Sequence, residues 1–133
     1  MSMRVPALAF LVLALLAPVP AVAADRAPSL AEVRSIRAQA LKACGQDTCK
    51  FIGARVSTPN TRFAWADVAT DGFSGVLLKR KPGTHRFRVV GWQGGGIGEC
   101  SYWRDLAPAR VLRDLKVFGL VGSTGQVRNC GRT

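Results

Sequence analysis

The chain has 133 residues, and its 19 Lys or Arg against 8 Asp or Glu give a formal net charge of +11. That length leaves room for one domain, and the charge predicts attraction to anionic surfaces. A single histidine and few acids narrow the catalytic options from the start.

Residues 1–24 read as a secretory leader. Arg4 supplies the positive n-region, Ala7 to Leu16 form an uncharged apolar run, and Ala21-Val22-Ala23-Ala24 offers an A-x-A-like cleavage site. The run is too short to span a bilayer comfortably, and no stop-transfer pattern follows. No Cys stands beside the cleavage site, so no lipid anchor is expected. Cleavage leaves residues 25–133 as one basic domain without a transmembrane segment. Arg4 departs with the leader, so 18 basic residues face 8 acids, a net charge near +10. The expected address is periplasmic or secreted, and the expected partner is an anionic envelope component or an acidic protein. Export removes the usual nucleic-acid partners. The competing account is a charge that only keeps the protein soluble. One clustered cationic face argues for binding, and an even spread argues for solubility.

The start of the processed chain is polar and is expected to be flexible. Ser29 to Glu32 (S-L-A-E) is a capping box that opens a helix. Leu30, Val33, Ile36, Ala40 and Leu41 recur at helical spacing, and Gly45 offers a left-handed C-cap, so the helix runs from Leu30 to Ala43. Period-two patterning then predicts strands over 50–57, 62–68, 73–80 and 85–92. Short turns join them, and Lys81-Pro82-Gly83-Thr84 has Pro and Gly where a type II turn requires them. Phe87 and Val89 share one face of the last strand, and Arg86 and Arg88 the other. This alternation predicts an antiparallel meander with one face on the helix and the other partly wet. Gly94 to Gly98 reads as a loop, Pro108 to Val117 as a second helix, and the tail to Thr133 as irregular chain. The expected fold class is α+β, with an N-terminal helix on a four-stranded antiparallel sheet and a short C-terminal helix.

The four cysteines lie after the cleavage point, and an even count in an exported chain predicts two disulfides. Spacing permits three pairings. The favoured one joins Cys44 to Cys49 across a tight loop, and Cys100 to Cys130 across the tail. No close cysteine pair or second histidine supports a metal site, and no cofactor motif is present.

The densest chemical feature is a basic hairpin. Lys79, Arg80, Lys81, His85, Arg86 and Arg88 flank one turn, and guanidinium forks there suit phosphate or sulfate. The alternative is an edge kept free of aggregation by charge. A second candidate surface is the partner loop of Trp92, Gly94, Gly95, Gly96, Tyr102 and Trp103, whose aromatics serve either as a hot spot or as cover for the core. The glycine run fails as a phosphate loop, since Glu99 stands where the last Gly is needed and no Lys follows. No helix is expected directly after it. His85 has no evident carboxylate to orient it, and Ser101 has no nucleophile-elbow setting. Asp67, Asp71, Glu99 and Asp105 are the only acids of the central region. The chain is therefore read as a non-enzymatic binding domain. The alternatives are an inhibitor of a hydrolase acting through the Gly/Trp loop, and a small hydrolase.

The segments R-V-S-T-P-N-T-R-F-A-W-A (55–66), G-V-L-L-K-R, R-F-R-V-V-G-W and P-A-R-V-L-R-D-L resemble those of small exported bacterial proteins of unassigned function. The resemblance spans residues 30–117 and implies a periplasmic or secreted domain. It carries over no catalytic residue. The layout is similar to one-helix-on-a-sheet folds such as cystatin-like domains, which says little about activity.

Overall fold

The computed structural model describes residues 25–45, 47–70, 73–94, 96–122 and 125–132. The expected leader lies outside these residues, as do Gly95 of the partner loop and Asp71. Helix α1 (Leu30–Cys44) is followed by strands β1 (Lys50–Val56), β2 (Phe63–Ala69), β3 (Phe73–Arg80) and β4 (Phe87–Gln93). Helices α2 (Cys100–Leu106) and α3 (Ala109–Asp114) and the hairpin β5 (Phe118–Val121) and β6 (Gln126–Asn129) complete the chain. The first four strands form an antiparallel sheet in sequence order, so the α+β meander stands as predicted.

Local chemistry explains the first layer. The Ser29 hydroxyl accepts from the Glu32 amide at 3.3 Å, and the Glu32 carboxylate accepts from the Ser29 amide at 3.0 Å. Gly45 closes α1 at φ 67°, where its amide donates to the Leu41 carbonyl. Arg26 forks onto both Glu32 oxygens at 2.9 and 3.1 Å. That fork, with the Ser29 donors, holds the buried carboxyl down at about 2 against an ordinary 4.5. Arg26 also exchanges both main-chain bonds with Val56, covering the outer edge of β1. Asp25 lies 3.1 Å from Arg55 Nε, a contact that is ionic without hydrogen-bond alignment. The start of the described chain is thus tied down rather than flexible, because Asp25 and Arg26 each find an oppositely charged partner. Between the helix and the sheet, Ile36 and Ala40 meet Val56, Ala64, Ala66, Val68, Val76, Leu78 and Phe87.

The opposite face of the sheet is not wet. It carries a second core of Phe63, Trp65, Leu77, Cys100, Trp103, Ala107, Val111, Leu112, Leu115, Val117 and Cys130. The predicted second helix, 108–117, is the shorter α3, and α2 precedes it as a separate helix. Pro108 fixes its own φ and drives Ala107 into extended backbone (φ −149°, ψ 152°), which keeps α2 and α3 apart. α2, which directly follows the glycine loop, and the β5–β6 hairpin are additions to the expected layout. Both disulfides, Cys44–Cys49 and Cys100–Cys130, form as favoured. The second ties the tail hairpin to α2. No described helix is long and apolar enough to cross a membrane.

Candidate functional site

The β3–β4 ribbon is built by its turn. Gly83 takes φ 70°, and the Thr84 amide donates to the Lys81 carbonyl at 3.2 Å, as a type II turn requires. The register then sets Lys79 directly opposite Arg88 and Arg80 opposite Phe87. Continuing it, the Lys81 amide donates to the Arg86 carbonyl at 2.8 Å. Residues directly opposite share a face, so Lys79, Lys81, Arg86 and Arg88 stand on the side of the ribbon opposite the Phe87 side chain. Arg80 points the other way, and its guanidinium donates to the Thr61 hydroxyl at 3.2 Å. Lys79 Nζ lies 5.4 Å from the centre of the Phe63 ring. Lys81, Arg86 and Arg88 are exposed, and no ion pair among the described residues engages them.

At the ribbon's edge, Lys81, Arg86, Phe87 and Arg88 meet Ser35 and Gln39 of α1 around a notch of about 460 Å³. No carboxylate lines it. The Phe87 amide donates to the Ser35 hydroxyl at 2.8 Å, which leaves the hydroxyl proton free to point outward. His85 is exposed, and no described carboxylate pairs with it. Among the described residues no cluster of three His, Cys, Asp or Glu could hold a metal ion.

The partner loop divides. Trp103 is fully buried and meets the Trp65 ring edge-on at 5.2 Å, so it is core. Tyr102 is exposed, stacks edge-on against Trp103 at 4.8 Å, and its hydroxyl accepts from the Trp92 amide at 3.2 Å. Trp92 is half-buried, and Gly94 and Gly96 are exposed. The strand–glycine–helix order is present after all, since α2 starts at Cys100. It does not make a phosphate loop. The N-cap is the acidic Glu99, without a side-chain capping bond, and the Gly98 carbonyl is taken by the Leu120 amide.

Two features escaped the sequence reading. Arg55 joins four parts of the chain: besides Asp25, its Nη1 reaches Asp67 at 3.3 Å and its Nη2 donates to the Leu115 carbonyl at 2.6 Å. Asp67 accepts in turn from Trp65 Nε1 at 2.9 Å. The other is a second basic concavity in the tail, formed by Arg113, Lys116, Arg128 and Arg132. Only the count of arginines after position 110 hinted at it. Comparison of the chain with protein-family models, with curated proteins and with solved structures finds no match.

Proposed function

We propose that this chain is an exported, non-enzymatic binding domain that grips a polyanionic envelope component through the β3–β4 ribbon. The observation that carries the reading is the cross-strand opposition of like charges. Lys79 faces Arg88 and Lys81 faces Arg86, with no acid among them. Directly opposed like charges destabilise a ladder, and a bound polyanion relieves that repulsion. The acid-free notch beside α1 supports the same reading, with a hydroxyl and an amide ready to share the anion. The export half of the proposal rests on the leader-like residues 1–24. The two disulfides and the lack of a membrane-length helix among the described residues are compatible with it.

Titration with a heparin oligosaccharide at rising salt tests the ribbon. Three or four ionic contacts predict an affinity loss on the order of 10–100-fold between about 50 and 200 mM salt. Replacing Lys81, Arg86 and Arg88 together by Gln should abolish most of that salt dependence while the fold persists. Salt-insensitive binding, or binding unchanged in the triple variant, refutes the proposal. With Trp103 buried, the inhibitor reading rests on Trp92, Tyr102 and the exposed glycines of the loop.

A further inference from the structure

A second concavity lies between the end of α3 and β6, about 630 Å³ in volume, lined by Arg113, Lys116, Phe118, Val127, Arg128, Asn129 and Arg132. Four of these seven residues are cations and none is an acid. No described residue pairs with the charged groups of Arg113, Lys116 or Arg132, while Arg128 donates only to the neutral Gln126 amide at 2.9 Å. The Asn129 side chain is spent internally, donating to the Arg113 carbonyl and accepting from the Gly131 amide. The wall between the cations is apolar. Phe118 is 49% exposed and Val127 47%. Lys116 and Phe118 also border an adjoining cleft of about 370 Å³, where Trp65 and the 48% exposed Ile97 stand beside Gln93 and the Arg55–Asp67 pair. Three of the six exposed large hydrophobics among the described residues therefore line these two adjoining clefts.

The backbone supplies an independent observation. Lys116 has φ 55° and is the only non-glycine with positive φ among the described residues. It follows the α3 C-cap Leu115, the position where helices ordinarily use glycine, and its amide returns to the Arg113 carbonyl at 3.2 Å. Glycine would hold this turn at lower cost, so the fold does not explain the lysine. Lys116 lines both clefts. Strain kept at a site with unpaired charge is the pattern of a binding position.

We infer that this tail cleft is a second ligand site, separate from the ribbon, for an amphiphilic anion: a phosphate or carboxylate group carrying an apolar chain. The headgroup sits among Arg113, Lys116 and Arg132, and the chain lies along Phe118 and Val127 toward Ile97. Charge alone would not recruit the apolar wall, and an uncharged chain would leave the cations unsatisfied.

The test titrates the purified protein with octyl phosphate and with inorganic phosphate, following the amide signals of 113–119 and 126–132. Each two methylenes buried on the wall add about tenfold in affinity, so octyl phosphate should bind at least about tenfold tighter than inorganic phosphate. Phe118→Ser should erase that difference. Lys116→Gly should weaken octyl phosphate about tenfold without lowering the unfolding midpoint, which separates a binding role from a structural one. Equal affinity for the two phosphates, signals confined to the β3–β4 ribbon, or a fall in midpoint with Lys116→Gly would each overturn the inference. Vesicles of phosphatidylglycerol distinguish the source. Competition with octyl phosphate places the natural anion in a bilayer, and lack of competition makes it a free amphiphile.

Discussion

The two layers over the central sheet use different means to bury the same surface. On one face, a fifteen-residue amphipathic helix lays Ile36 and Ala40 against small side chains, Ala64, Ala66, Val68 and Val76. Its anchorage is local: a capping box, the Arg26–Glu32 fork and a disulfide that closes five residues of sequence separation. On the other face, two helices of seven and six residues and a hairpin of four-residue strands surround one large ring, Trp103. Elements that short have little stability of their own. They hold through distant contacts, the Cys100–Cys130 bond and the Leu120 amide on the Gly98 carbonyl among them. One layer is stable because each turn helps the next, and the other because a few long-range ties act together.

Removing the centre of the second layer should therefore have the largest effect. Trp103→Ala deletes a fully buried ring and should cost about 3–5 kcal/mol in urea unfolding, with loss of the near-ultraviolet signal of Trp65. Ile36→Ala, at the centre of the helix layer, should cost about 2–4 kcal/mol. If Ile36→Ala costs more, the contrast drawn between the layers is mistaken. The disulfides sharpen the same point. Loss of Cys100–Cys130 by paired serine substitution should cost about 3–4 kcal/mol, and loss of Cys44–Cys49 about 2 kcal/mol, on loop-closure entropy. Hydrogen exchange should rise first across residues 118–129 in the former variant and stay protected in β2 and β3. Global acceleration instead would mean that the second layer is not a separate cooperative unit.

The same contrast decides what could be read in advance. Ser29, Glu32, Gly45, Pro82 and Gly83 act on neighbours within a few residues, so their roles are written in short windows of sequence. The first four strands run for seven or eight residues between turn residues, long enough to be read as strands. The second layer offers no such window. Its fit depends on non-local clearance at glycines: a Cβ on Gly91 would stand 2.7 Å from Trp103 and Leu106, and one on Gly75 would meet the Trp65 ring. Nothing in the string G-W-Q or S-G-V announces that. The candidate sites divide likewise. The ribbon cations are contiguous around one turn and were legible. Arg113, Lys116, Arg128 and Arg132 come together only because the tail hairpin folds back on α3, and the left-handed backbone of Lys116 leaves no trace in residue type.

Acid should act on the helix layer before the other. The Glu32 carboxyl titrates at about 2 in the fold and 4.5 when free, chiefly because Arg26 hydrogen-bonds it. A lowered folded value means the stabilisation is complete above pH 4.5 and drains away as pH falls from about 4.5 toward 2. Arg26 is 40% exposed, which screens the pair, so the contribution is discounted to about 1–3 kcal/mol. Glu32→Gln should lower stability by that amount at neutral pH and flatten the acid limb of the stability profile. An unchanged acid limb in the variant would remove Glu32 from the account.

The smallest expected effects lie where the two layers meet on one strand. β4 is an edge of the sheet, and two of its amides donate to hydroxyls rather than to another strand. Phe87 donates to Ser35 of α1, and Trp92 donates to Tyr102 of α2, so each layer supplies one cap to the same edge. Ser35→Ala and Tyr102→Phe should each cost about 1 kcal/mol, close to additively, because the two bonds are five residues apart along the strand. Their larger consequence is association. An edge with free amides is a template for a second chain, and the ribbon charge at one end of β4 opposes that pairing. The double variant should therefore self-associate in sedimentation velocity only at high salt, where the charge is screened, while each single variant remains monomeric. Monomeric behaviour of the double variant at high salt would show that charge and shape alone protect β4, and that the hydroxyls serve stability only.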